Sequence, residues 1–240
     1  MRKRTVSKDS PASRAGGAGR AGRARPVREA RRPEVRLPPL EPYGGGLEPD
    51  GDYDGRELAG LDLAGQDGAG ARFLDCAVRD CGLDEARLTS ARFLDSVLDG
   101  VRGVGTDLAG AQLRDVEVRE ARLGGAQLHG AVLERVWVRG GKIDYVNLRA
   151  ASLKDVVFEG CVLGEPDFGG AALERVEFRD CVLVGADFGG ARLKDVDLRT
   201  VQRLEIARGV DALAGAVIST AQLLDLAPVF AAQLGVRVED

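Results

Sequence analysis

The chain contains one histidine, one tryptophan, one methionine and four cysteines in 240 residues. Each scarcity closes off a class of chemistry. A lone histidine, His129, cannot build a multi-histidine metal centre. Triad catalysis needs a base held between a nucleophile and an acid, and nothing near His129-Gly130 supplies that, so His129 reads as a surface residue. Cys76, Cys81, Cys161 and Cys181 lack C-x2-C spacing, which argues against zinc. They read as reduced, buried, small apolar residues. No apolar run reaches the 18 residues of a membrane span. No apolar stretch follows Arg2-Lys3-Arg4, so the signature of a secretory signal is missing. The expectation is a cytoplasmic protein that is not an enzyme and binds no metal or cofactor.

What is present is a period of five. From Leu58 to Leu198 every fifth position is apolar in 27 of 29 cases, broken only by Gly68 and Gly103; composition alone would fill about 13. Six of the seven phenylalanines lie in this row: Phe73, Phe93, Phe158, Phe168, Phe178 and Phe188. Helices repeat at 3.6 residues and strands at 2, so neither continues through such a row. The backbone must turn inward once per pentad. Two residues before each centre stands a smaller residue, as in Ala71, Cys76, Cys81 and Ala86; the other three positions are mostly charged or glycine.

A period of 20 lies over the first. The frame Ala111-Gln-Leu-Arg-Asp-Val returns at Ala131, Ala151, Ala171 and Ala191. Four pentads therefore make one turn, and the row predicts about seven turns stacked into a continuous core. Charges in the same frame alternate. One column runs Arg114, Glu134, Lys154, Glu174, Lys194, and the next runs Asp115, Arg135, Asp155, Arg175, Asp195, in opposite phase. Stacked at strand spacing of about 4.8 Å, they form a ladder that fixes register, since a slip of one turn sets like charges together.

The chain divides into three. Residues 1–46 are rich in Arg, Gly, Ala and Pro without apolar periodicity, and are expected to be disordered. Residues 1–36 alone carry 12 Lys/Arg against three acids, leaving −13 on the remainder. Such an arm suits nucleic acid or an anionic surface, or is only a solvated tail. Residues 47–200 form the rod. Residues 201–240 hold a final coil, a helix capped by Ser219 or Thr220 through Leu226, a second helix opening at Pro228, and a short extended piece. This segment covers the open end of the rod or joins two copies. Apolar residues at outward positions are the candidate partner surface: Trp137 with Val157 and Val97, and, on the next face, Val162, Val182 and Val184. The competing explanation for Trp137 is that it shields its neighbours or meets the terminal tails.

The repeat A-x-[LF]-x-x, as in Ala71-Arg-Phe-Leu-Asp, Ala91-Arg-Phe-Leu-Asp, Ala186-Asp-Phe-Gly-Gly and Ala191-Arg-Leu-Lys-Asp, resembles the pentapeptide-repeat family over about 58–200. The resemblance implies an all-β, right-handed quadrilateral β-helix with centre and small residue inward. The column Val116, Val136, Val156, Val176, Val196 departs from the usual alanine and implies a wider face; Gly68 and Gly103 imply loosened coils. Fold does not fix function, and the bland expectation is a rigid interaction scaffold for a protein partner. Within the family, fluoroquinolone-resistance proteins are dimeric rods that imitate duplex DNA and bind DNA gyrase. The C-terminal tail looks similar to their dimerising end, so gyrase binding and a homodimer form the alternative. Against mimicry, residues 57–200 carry 25 acids and 18 bases, and the alternating ladder is nearly neutral.

Overall fold

At every fifth residue the backbone enters the left-handed region and the chain turns a corner. In one coil the corners are Asp95 (φ 48°), Gly100 (φ 63°), Gly105 (φ 67°) and Gly110 (φ 65°). Left-handed backbone costs most L-residues about 1–2 kcal/mol, which is why Gly and Asp recur there. The computed structural model describes residues 26–239. Expectations about 1–25 lie outside the described residues.

Four corners close one coil, and the coils stack in parallel with a 20-residue register. Leu113, Leu133, Leu153, Leu173 and Leu193 are successive partners, as are Ile143, Leu163 and Leu183. A 12-stranded sheet covers two adjacent faces, through strands such as Gln112–Arg119 and Ser152–Glu159 that bend across a corner. A six-stranded sheet covers the third face. The fourth is joined by single bridges, Asp107 to Gln127 to Asn147 to Asp167. The result is a β-solenoid of about 8 turns.

The core is one column of side chains. Phe73 stacks on Phe93 with ring centroids 4.5 Å apart, and Tyr53 on Phe73 at 4.7 Å. Toward the other end Phe158 stacks on Phe178 at 4.9 Å and Phe168 on Phe188 at 5.1 Å. Between these aromatic ends the centres are aliphatic, and a cavity of about 80 Å³ opens among Leu113, Val118, Leu128, Leu133 and Val138. Val116, Val136, Val156, Val176 and Val196 are fully buried. The two glycine centres differ. At Gly103 an added Cβ would lie 2.5 Å from Thr106 Oγ1 and 2.9 Å from the Leu83 carbonyl, yet its column neighbours Leu83 and Leu123 line the cavity, as a loosened coil implies. At Gly68 the space is taken by Leu47, 3.3 Å from the position of the missing Cβ.

Both ends differ from the sequence boundaries. The rod begins before residue 47: Glu41–Tyr43 pairs in parallel with Arg56–Leu58. Residues 26–40 are ordered as well, and run in extended form along the rod. The expectation of disorder to residue 46 fails there because this segment needs no period of its own; it borrows the rod's. Beyond Leu198 the row slips by one residue, so Leu204 rather than Arg203 partners Leu183. Ala216–Val217 then returns to register on Val196–Asp197.

A single helix, Thr220–Gln233, follows, with Ser219 and Gln222 forming a reciprocal N-terminal cap. The expected break at Pro228 does not occur. The carbonyl that loses its donor belongs to Leu224, on the solvent side at 70% exposure. The helix ends at Gly235 (φ 71°), where Val236 N–H reaches Ala231 and Gly235 N–H reaches Ala232. Leu226 is buried against the core, and the Gln222 side-chain amide donates to the carbonyls of Leu198 (2.8 Å) and Val201 (3.1 Å). The helix thus seals the last coil.

Candidate interaction faces

The charge columns stand in strand register. Arg114, Glu134, Lys154, Glu174 and Lys194 are successive partners. Glu134 lies 3.3 Å from Arg114 and 3.8 Å from Lys154; Lys194 lies 3.0 Å from Glu174. In the neighbouring corner column Arg135 grips both oxygens of Asp115 (2.6 and 2.7 Å), and Arg175 both oxygens of Asp155 (2.7 and 2.8 Å). Asp195 bonds Arg28 at 2.8 Å. The hydrogen bond to Asp115, against the opposing effect of burial, holds Arg135 above its ordinary pKa, and Asp155 does the same for Arg175. Below Asp115 the corner column continues as acids, and Asp95 is raised by burial and by the charges of Asp115 and Asp75.

One outward column of the second face runs Val97, Glu117, Trp137, Val157, Glu177. Outward side chains of a solenoid should be wet. Here Val157 is fully buried, and Val97, Glu117 and Glu177 are buried too. This corrects the expectation that Val97 and Val157 form an exposed patch with Trp137. The cover is the chain's own segment 26–40, called the strap below. Arg28 pairs with Asp195, the N–H of Ala30 donates to Glu177 (2.6 Å), and the N–H of Arg31 donates to Asp155 (3.1 Å). Arg32 pairs with Glu159 at 2.8 Å and lays its guanidinium 4.3 Å from the centre of the Trp137 ring, while Arg139 lies 5.1 Å away. Pro33 is buried.

From Arg28 to Glu41 the strap has 13 steps, about 40 Å in extended polyproline-like form. The seven turns from Asp195 down to the first coil span about 34 Å, so the strap fits the rod's length. Two features of this face stand out. Burial pushes the Asp155 carboxyl up, but Arg175 and the Arg31 N–H outweigh it and hold the group below its ordinary range. The Trp137 indole N–H is buried without an acceptor, an omission that costs roughly 1–3 kcal/mol.

Among the described residues, no segment straps the third face as 26–40 straps the second. Its matching column runs Arg102, Arg122, Lys142, Val162, Val182. Three cations are stacked here in place of an alternation. Val162 is 39% exposed, and Val182 and Val184 are half-buried. Beside the cations Gly103, Gly124 and Gly141 leave a depression of about 590 Å³, edged by Val104, Asp84, Glu120 and Asp144. Lys142 reaches Asp144 at 2.9 Å. The terminal helix adds exposed Leu223, Leu224 and Leu234.

The four cysteines are buried and free. Burial raises the thiols of Cys76 and Cys81; a hydrogen bond with Cys181, together with burial, raises Cys161. His129 is exposed. Among the described residues no group of His, Cys, Asp and Glu could hold a metal, and no helix is long and apolar enough to cross a membrane.

Inward centres, small inward partners, left-handed corners and the 20-residue register define a solenoid of stacked pentads. Residues 71–148 match the family described as a pentapeptide repeat region, and residues 143–180 and 167–199 match pentapeptide repeats (8 copies). The chain belongs to the pentapeptide-repeat family. Among solved structures it is similar to HetL, a pentapeptide-repeat protein involved in heterocyst differentiation regulation in the cyanobacterium Nostoc sp. strain PCC 7120, at 21% identity and TM-score 0.36 over 70% of this chain and 89% of that one. It is also similar to full-length QnrB1, a plasmid-mediated fluoroquinolone resistance protein, at 17% identity and TM-score 0.39 over 82% of this chain and 100% of that one. A third likeness, a pentapeptide-repeat protein of the Arabidopsis thaliana thylakoid lumen, has 18% identity and TM-score 0.13 over 71% and 77%. At these values none carries a functional argument. A search of curated protein sequences returns no match.

Proposed function

We propose that this protein is a non-enzymatic, rigid interaction rod of the reducing cytoplasm, where buried free thiols persist. Its third face binds a protein partner. One observation carries this reading: like charges stacked at strand spacing repel, yet Arg102, Arg122 and Lys142 are stacked, and the same column continues into Val162 and Val182. A face that is basic at one end and apolar at the other suits a partner with acidic and apolar groups. The test is affinity capture with wild type and with Val162→Asp/Val182→Asp. A partner held by wild type and lost by the variant supports the reading; an unchanged set of partners removes this face from it.

Exposed Leu223 and Leu224 on the terminal helix support self-association through that helix, alongside its sealing of the rod. Light scattering across a concentration series, with Leu224→Lys as control, decides it. The gyrase-directed duplex mimic fits less well, because the ladder alternates in sign and the third face carries stacked cations where a mimic needs continuous negative charge. Inhibition or protection of gyrase in a supercoiling assay at micromolar protein would reverse that ranking.

A further inference from the structure

We propose that the second face is a binding groove for an extended arginine- and proline-containing peptide segment of a partner protein, and that residues 28–33 occupy it in the isolated chain. This goes beyond the third-face reading and stands apart from it, since the two use different columns and different variants.

The groove is built like a peptide site. Its floor is an outward column in which Val157 and Glu177, with Glu117 below, are buried and Trp137 is half-buried. Its walls are acids that take up backbone and guanidinium donors. Glu177 and Asp155 accept the consecutive N–H groups of Ala30 and Arg31, while Asp195 and Glu159 accept Arg28 and Arg32. Asp155 is held in place from behind by Nε and Nη2 of Arg175. The resident segment therefore reads as a recognition sequence, Arg-x-Ala-Arg-Arg-Pro, with an arginine on Trp137 and a buried proline after it. Backbone-directed bonds set the extended conformation, and the arginines and proline set the chemistry.

The strap is an incomplete occupant. It leaves the Trp137 indole N–H buried without an acceptor. A foreign segment that places a carbonyl or hydroxyl at this point satisfies the donor and gains over the strap. Between Pro33 and the first paired strand at Glu41 the chain runs 34–40 without helix or strand, a tether long enough to swing residues 28–33 away. Tethering also explains how the groove stays closed. A segment on a short linker acts at an effective concentration on the order of millimolar, so a free peptide of equal intrinsic affinity fails to enter at micromolar levels.

Trp137 is the chain's only tryptophan, so its emission reports the groove directly. A synthetic peptide of residues 26–40 is titrated into the full-length protein and into the full-length strap variant Arg28→Glu/Arg32→Glu. In wild type, micromolar peptide leaves the emission unchanged. In the variant, emission shifts to the red as the strap leaves; added peptide restores it, with an apparent affinity at least about tenfold tighter than for wild type, because the open fraction has risen. A peptide carrying the same two charge reversals does not bind, and Asp155→Asn/Glu177→Gln in the groove abolishes binding of the native peptide. Arg32→Ala, a single exposed change, serves if the double variant does not fold. The proposal falls if a folded variant with red-shifted emission binds no peptide, or if its emission never shifts. It falls equally if wild type is a dimer whose two copies exchange straps in solution, for the occupant is then a second copy of this chain.

Discussion

Valines five residues apart meet opposite fates on neighbouring faces. Val157, in the column beneath the strap, is fully buried, whereas Val162, in the matching column of the third face, is 39% exposed. Repeat position is the same for both, two strands of one coil. What differs is a segment more than a hundred residues away in sequence. The repeat therefore decides which side chains face outward, and something outside the repeat decides which of those are dry. A solenoid surface cannot be divided into wet and covered parts from its own period.

The largest effect that would break this contrast is an identical substitution on each face. Val157→Asp buries a carboxylate between Trp137 and Glu177 and is expected to lose about 3 kcal/mol. Val162→Asp, at a half-open position, should stay within about 0.5 kcal/mol of wild type. Urea denaturation of both variants measures the difference; equal losses would mean the strap does not cover its face in solution.

A smaller effect comes from pH. Asp155 and Asp197 both sit on the strap side. In each, burial raises the carboxyl, but Arg175 with the Arg31 N–H, and Arg199 respectively, bring the net shift below the ordinary value. A depressed folded pKa means the contribution is fully present above the unfolded value of about 3.9. It is then lost as pH falls through the lower folded values. Stability should hold down to about pH 4 and decline below it, with Trp137 emission moving in step as Asp155 releases the strap. Emission that stays constant while stability falls would place the acid-sensitive carboxylates elsewhere.

The smallest effect sharpens the comparison from the third face. Arg122→Glu converts three stacked cations into an alternating column like that of Arg114, Glu134 and Lys154. Relief of like-charge stacking is expected to raise stability by roughly 0.2–1 kcal/mol, seen as a small rise in Tm that fades in high salt. A fall would show that Glu120 and Asp144 already neutralise the stack.

The rod itself was legible in the sequence because its information is redundant. The row of 29 centres, the alanine frame and the charge columns all state one register, and the strand partners repeat it. Gly68 misled because a missing side chain can be replaced by Leu47 from another segment, and that leaves no trace in the repeat. Pro228 reads as a break, yet one lost hydrogen bond on a solvent-facing turn does not end a capped helix. The strap was hidden for a different reason. It attaches through backbone N–H groups and guanidiniums on acids already accounted for by the ladder, and an extended segment has no period to detect. Two signals could have found it. Five of the chain's nine prolines fall within 26–42, and the column that holds Glu117 and Glu177 also places Val97, Trp137 and Val157 at outward positions.

The aliphatic middle of the core has a mechanical consequence. Stacked aromatic rings brace the two ends, while between them lies a void of about 80 Å³ walled mostly by leucine and valine, with Thr106, Ile143 and Phe158. Empty apolar volume is what hydrostatic compression eliminates and what xenon occupies. The coils around Leu128 are therefore where the rod is expected to yield first under pressure.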